Sequence, residues 1–327
     1  MTKKVAFTVS ESGFFTYAIT VNATLKGWAT DMNKTMKLAV LGGDKRQLAM
    51  AARLADYGYA VTVWGFGNSL VSSRLSVSEN WRDAVLASDA VILPLPASAD
   101  GVRVHAPLQG SDTFLRMTTL LDAISGKYLF GGRLSESVRS IADQKQVRWF
   151  DYFESELLQL QNAVPTAEGA IEIALREMPV TLHGCGAAVI GYGRIGRVLA
   201  ADLAALGARV CVYARKTEQR VLAEIAGHTA KRLTLRDGKI LPEDGFSGLR
   251  VIFNTVPSRI LTRDILGKIP RNCLLIDLAS APGGIDQVAA NELGFKSVWG
   301  TSLPGKCAPE TAGEIIAQTL HMQLEAL

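Results

Sequence analysis

The stretch Ala187-Ala188-Val189-Ile190-Gly191-Tyr192-Gly193-Arg194-Ile195-Gly196-Arg197-Val198-Leu199-Ala200 constrains the fold more than any other part of the chain. An apolar run leads into G-x-G-x-x-G and a helical pattern follows, which reads as a buried strand, a tight turn and a helix. Gly191 permits the turn, Gly193 lets a pyrophosphate approach the backbone, and Gly196 lets the helix pack closely on the strand. The helix N-terminus then offers free N–H groups to an anion. A glycine fingerprint alone is weak, but a second β-branched run, Arg209 to Tyr213, follows at the distance that a βαβ unit needs. A dinucleotide site is the expectation, with Tyr192, Arg194 and Ile195 as its other backbone contacts.

The second run ends Val212-Tyr213-Ala214-Arg215-Lys216. NAD sites usually present a carboxylate there to the ribose 2′-hydroxyl; two cations instead attract a 2′-phosphate. NADP is therefore favoured over NAD. The competing reading leaves Arg215 and Lys216 as solvated loop charges.

The rest of the chain from Met36 alternates short β-branched runs with helical patterns, as a parallel α/β sheet does. Strands are expected at Lys37 to Leu41, Ala60 to Trp64, Ala90 to Leu93, Tyr128 to Gly131 and Val147 to Phe150, with helices at Arg46 to Tyr57 and Glu136 to Gln144. Linking helices follow at Phe153 to Gln161 and Pro165 to Glu177, with Pro165 suited to a helix start. The second half repeats the rhythm at Ala187 to Ile190, Arg209 to Tyr213, Val251 to Asn254 and Leu274 to Asp277. A short strand precedes residue 303, and a last helix spans about Pro309 to Ala326. The expected fold is α/β: two doubly wound Rossmann-like domains joined by linking helices, the C-terminal helix packing back on the first domain or the linker. The divisions are 36–152 for a substrate domain, 153–308 for the linking helices and NADP domain, and 309–327 for the final helix. Residues 1–35 lack the pattern and read as an extension, disordered or arising from an upstream start codon.

Composition narrows the function classes. Thirty-five Lys and Arg against thirty-one Asp and Glu give a net charge of +4, scattered rather than blocked, which argues against a dedicated nucleic-acid binder. Hydrophobic residues at 48% exclude a mostly disordered chain. No apolar run reaches the roughly 20 residues of a membrane helix. Cys185, Cys211, Cys273 and Cys307 form no C-x-x-C pair, so reduced thiols and a cytoplasmic location are expected. No metal-ligand cluster, Ser/His/Asp arrangement or P-loop is visible.

Ligands of doubly wound sheets lie beyond the carboxyl ends of strands. The loops Asn254-Thr255-Val256-Pro257-Ser258 and Asp277-Leu278-Ala279-Ser280-Ala281-Pro282-Gly283-Gly284 should therefore line the nicotinamide, with the hydroxyls of Thr255 and Ser280 as natural contacts. In the first domain, Leu41-Gly42-Gly43-Asp44-Lys45-Arg46-Gln47 lacks a third glycine. It is a poor dinucleotide turn; it reads either as an anion site, with Gly43, Asp44, Lys45 and Arg46 receiving a carboxylate, or as a helix entry without a ligand. Lys306 is a further candidate for a substrate carboxylate, although an exposed loop lysine is the commoner case. None of His105, His183, His228 and His321 falls in the loops around the nicotinamide, which disfavours a 2-hydroxy-acid dehydrogenase needing a positioned base. A substrate that gains aromaticity on oxidation needs less.

These segments, with Asn162-Ala163-Val164-Pro165-Thr166-Ala167-Glu168-Gly169-Ala170-Ile171 and Leu303-Pro304-Gly305-Lys306-Cys307-Ala308-Pro309-Glu310-Thr311-Ala312-Gly313, together resemble the family of dipicolinate synthase A subunits. The likeness runs from about Met36 to the C-terminus and departs from the family in the 35-residue extension and in Tyr192. It implies NADP-dependent oxidation of a dihydrodipicolinate, formed from the lysine-pathway hydroxytetrahydrodipicolinate, to dipicolinate in the cytoplasm of sporulating bacteria. It also implies a partner, the smaller flavoprotein-like B subunit of dipicolinate synthase. Arg46 is the candidate for a substrate carboxylate, Pro165-Thr166-Ala167-Glu168 for the cleft wall between the domains, and Ser280 for the reacting end of the cofactor. Glu168 is a candidate proton acceptor, although an acid in a first helical turn is also a routine dipole partner. Two alternatives stay open: an NADP-linked dehydrogenase of another cyclic imine or carboxylate, and a non-catalytic NADP-binding scaffold. A homodimer rests only on the base rate of parallel α/β dehydrogenases.

Overall fold

The structure, a computed structural model, describes residues 36–110, 114–236, 239–242 and 246–327. The expectations for residues 1–35 lie outside the described residues.

The first sheet contains β1 (Lys37–Leu41), β2 (Ala60–Trp64), β3 (Ser76–Val77), β4 (Ala90–Ile92), β5 (Tyr128–Gly131) and β6 (Arg148–Asp151), all parallel, in the order β3-β2-β1-β4-β5-β6. Strand runs are apolar without alternation because both faces are covered. Leu38 and Val40 of β1 enter one core, Ala39 and Leu41 the other. Helix α1 (Lys45–Asp56) follows β1 directly. The two-residue β3 escapes sequence reading because both its residues are exposed and carry no hydrophobic pattern.

Two linking helices, α2 (Glu156–Gln161) and α3 (Ala163–Glu177), lead to the second sheet. That sheet comprises β7 (Gly186–Ile190), β8 (Arg209–Ala214), β9 (Thr229–Arg236), β10 (Lys239–Pro242), β11 (Val251–Asn254), β12 (Leu274–Asp277) and β13 (Ser297–Trp299), in the order β10-β9-β8-β7-β11-β12-β13. Without β10 the order repeats that of the first sheet. The β9–β10 pair is an antiparallel edge hairpin that the sequence reading omits, since Lys231, Arg232 and Arg236 hide a strand among charges. Ala187 and Val189 of β7 face one core and Ala188 and Ile190 the other. Helices α4 (Arg194–Ala205) and α5 (Thr217–Ile225) follow β7 and β8.

A short α6 (Leu303–Cys307) and the long α7 (Pro309–Leu324) end the chain. Ile316, Leu320 and Leu324 of α7 share a core with Met50 and Leu54 of α1, so the last helix returns to the first sheet, as expected. Close approach of the two backbones needs Gly313, where a Cβ would come 2.5 Å from the Arg46 carbonyl and 2.8 Å from the Met50 nitrogen. Among the described residues no helix is long and apolar enough to cross a membrane.

Candidate functional site: the glycine turn and the cleft beside it

The three glycines of the fingerprint have separate geometries. Gly191 has φ +91°, and a Cβ there would lie 2.5 Å from Thr255 Oγ1. A Cβ at Gly196 would lie 2.2 Å from the Gly191 carbonyl oxygen, so α4 can pack on the turn only with glycine there. At Gly193 nothing stands within 4 Å of a built Cβ: the backbone faces open space. Gly193 is also the N-cap of α4 and supplies no side-chain cap, leaving the first helical N–H groups for an anion. A cavity of about 230 Å³ begins there, lined by Gly193, Arg194, Ile195, Thr255, Asn162 and Thr166 among others. Arg194 closes one side through its ion pair with Glu156 of α2, which holds that carboxyl below its ordinary range.

Tyr192 belongs to the turn by backbone only. Its ring is buried in the core beside α4, edge-on to His228 at 6.3 Å, and burial pushes its hydroxyl pKa up. At the end of β8, Arg215 and Lys216 are exposed. Arg220 of α5, which sequence reading misses, donates to the carbonyls of Ala214 and Arg215 at 3.2 and 2.9 Å and holds their loop. Arg232 pairs in register with Ala214 on the neighbouring strand, adding charge to the same corner.

The loops after β11 and β12 are organised by a carboxylate. Asp277, 1% exposed, accepts from Asn254 Nδ2 at 2.8 Å and from the backbone N–H groups of Ala279, Gly284 and Ile285 at 3.2, 2.8 and 3.0 Å. Asn254 is fully buried and also donates to the Val256 carbonyl. Its side chain is spent on shaping the loop, which leaves the loop's backbone groups as the parts that can meet a ligand. Leu278 and Ala279 are likewise buried, and the Ala279 carbonyl accepts from Trp299 Nε1. Thr255 donates its hydroxyl to the Ile190 carbonyl at 2.9 Å and lines the cavity, while Val256 is half-buried and packs over Gly191. Pro257 and Ser280 are exposed beyond the strand ends.

At the first-domain turn the helix start carries a cap of its own. The α1 N-terminus is capped by Asp44, whose carboxylate accepts from the Arg46 N–H, while Gln47 accepts from the Asp44 N–H. An anion approaching this helix start thus meets a protein carboxylate already in place. The Arg46 guanidinium, 5% exposed, is forked onto Asp44 and donates to the Leu95 carbonyl at 2.6 Å, leaving Nη1 without a protein partner among the described residues. Gly43 faces Gln47, and Lys45 lines a separate cavity with Arg53 and Glu310. Gly305 of α6 packs on Arg46, with a built Cβ 2.7 Å from Nε, and Lys306 beside it is exposed. Cys307 Sγ donates to the Pro165 carbonyl at 3.1 Å, so α6 joins the Arg46 turn to the wall containing Pro165 and Thr166. Glu168 is exposed and lines another cavity with Asp202 of α4, whose carboxyl is raised by burial and then by Glu168 itself.

One histidine does come to the first-domain turn. His105 lies in the loop after β4, which folds over Gly42: a Cβ there would stand 2.9 Å from the His105 carbonyl. Burial is the main cause holding its imidazole below the ordinary histidine range, with Arg46 in the same direction and Asp44 and Asp100 opposing. The strand-end rule, extended to the first domain as well as the second, is the sequence signal that points to it.

The fold and site define a class of two Rossmann-like sheets with a glycine-fingerprint turn in the second. Residues 37–153 match the family described as the N-terminal domain of the dipicolinate synthase A subunit. The chain is 32% identical over 290 residues to the dipicolinate synthase A subunit of Bacillus subtilis (strain 168), covering 88% of this chain and 96% of that protein. It therefore belongs to the family of dipicolinate synthase A subunits. The crystal structure of the Bacillus halodurans member superposes with a TM-score of 0.76 at 27% identity, covering 88% of this chain and 97% of that one. A Sinorhizobium meliloti transhydrogenase shares the fold at a TM-score of 0.65 and 15% identity, over 88% of this chain and 93% of its own.

Proposed function

We propose that this chain is the NADP-dependent oxidoreductase component of a dipicolinate synthase, oxidising a dihydrodipicolinate to dipicolinate. The observation that carries the reading is the empty space at Gly193 over an uncapped α4 N-terminus, flanked by two glycines that tolerate no side chain. Such a cradle fits a pyrophosphate. Gly191 to Gly196 would hold it by backbone, Arg215 and Lys216 the 2′-phosphate, and the backbone of the Thr255 to Pro257 and Ser280 loops the nicotinamide half. Bound NADP supplies the hydride acceptor. Arg46 through Nη1, Lys306 and Thr166 are the groups for the two carboxylates of the substrate. Ser280 is exposed at the strand end and positions the reacting ring rather than exchanging protons.

A smaller flavoprotein-like partner and a role in the cytoplasm of sporulating cells follow from the family resemblance. The test is titration of the chain with NADP and NAD, then incubation with freshly prepared lysine-pathway precursor, with and without that partner. Tighter binding of NADP and formation of dipicolinate support the reading. Equal binding of both nucleotides removes the 2′-phosphate assignment, and absence of product with both proteins present removes the reaction.

A further inference from the structure

We propose that His105 is the proton acceptor of this reaction, standing on the first-domain side of the cleft beside the Asp44–Arg46 pair. The proposal deepens the reading above and rests on it. Three observations support it. First, His105 sits beyond the carboxyl end of a parallel strand, where ligands of doubly wound sheets lie. Its backbone is fixed there, since the His105 N–H donates to the Ala97 carbonyl at 3.0 Å and the neighbouring Val104 N–H to Leu115 at 2.9 Å.

Second, the imidazole has no structural occupation: among the described residues neither ring nitrogen makes a hydrogen bond, although the residue is half-buried. His183 is exposed, and the other two are occupied. His321 is engaged by Tyr59 at 2.9 Å and stacks on Tyr57, and His228 is packed against Tyr192. A half-buried imidazole without a partner is available to a ligand.

Third, the charges that face it are those a carboxylate substrate requires. Asp44 and Arg46 from the start of α1 and Asp100 from its own loop are the charged groups acting on it. Arg46 keeps Nη1 free, and Gly305 packs on it with the exposed Lys306 next in the chain. A dicarboxylate drawn to these cations is carried towards a neutral base, which the burial of His105 favours at neutral pH.

The oxidation balances with one such base. One ring carbon of the dihydropyridine loses a hydrogen with its electron pair to the nicotinamide acceptor. An adjacent ring carbon loses a proton to a neutral nitrogen of His105, and the electrons of that C–H bond become the new ring double bond. The imidazolium then returns the proton to water.

The experiment uses the full chain with its flavoprotein-like partner and compares it with His105→Gln. General-base removal predicts a fall in kcat of about 100-fold or more, with NADP affinity and thermal unfolding unchanged. The acidic limb of the kcat profile, where protonation of His105 silences the wild type, should disappear in the variant. A second readout needs no turnover: acylation of His105 by diethyl pyrocarbonate, followed by mass spectrometry, should be slowed by dipicolinate. A variant that keeps kcat and the same acidic limb, or a His105 that dipicolinate leaves unprotected, overturns the proposal. A wild type that makes no dipicolinate overturns the reaction instead, and the protection readout still decides whether His105 lines the ligand cleft.

Discussion

Asn254 Nδ2 donates to Asp277 Oδ1 at 2.8 Å, joining the ends of two neighbouring parallel strands under the loops proposed to receive the nicotinamide. Asp277 makes three further hydrogen bonds to backbone N–H groups, and no cation pairs with it among the described residues. The carboxylate is therefore the organising acceptor of the site. Asp277→Ala leaves buried donors without partners and should cost about 3 kcal/mol or more of stability. Urea unfolding checks this. A variant with wild-type stability would mean that the loops hold themselves.

Gly193 and Gly196 should respond oppositely to a single methyl group. Gly193→Ala meets nothing in the protein, so its unfolding free energy should stay within about 0.5 kcal/mol of wild type. Its NADP affinity should collapse, because the methyl occupies the phosphate approach. Gly196→Ala collides with the Gly191 carbonyl and should unfold at lower temperature. Calorimetry and NADP titration on the pair separate binding from stability.

Arg215→Ala combined with Lys216→Ala should weaken NADP by about 10- to 100-fold, as loss of charge-assisted hydrogen bonds to a phosphate does. NAD affinity should change little. Equal losses for both nucleotides would place the two cations elsewhere on the ligand.

The thiols give a prediction independent of function. Burial pushes Cys273 up to about 12, so at pH 8 its thiolate fraction is about one in ten thousand. Reaction with a disulfide reagent should therefore wait for unfolding, rising only as pH climbs towards that value. Cys185 is also buried, with its thiol raised for the same reason; Cys307, also raised by burial, is the exposed one of the three. Time-resolved thiol titration in native and denaturing buffer distinguishes them.

What the sequence makes legible follows the range of the interactions. The roles of Gly191, Gly193 and Gly196 are local, set by a turn and the helix it starts, and the spacing carries them. The apolar runs of β1 and β7 are equally plain. Asn254, Leu278 and Ala279 belong to loops that the sequence does place, but only their long-range partners, Asp277 and Trp299, show that they are buried. Arg220 is invisible to sequence because its loop carbonyls lie five and six residues away from a helix face. Helical phase separates Thr166, which lines the glycine-turn cavity, from Glu168, which lines another with Asp202. His105 carries no local motif, and only the fold of its loop over Gly42 brings it to the Asp44–Arg46 turn.

The most direct test of the account is simultaneous recording of NADPH and dipicolinate by the wild-type chain and Gly193→Ala, each with the flavoprotein-like partner and precursor. The account predicts one NADPH for each dipicolinate in the wild type and loss of both together in the variant. Dipicolinate that continues to form in a Gly193→Ala protein unable to bind NADP would contradict it and move the oxidation off this chain.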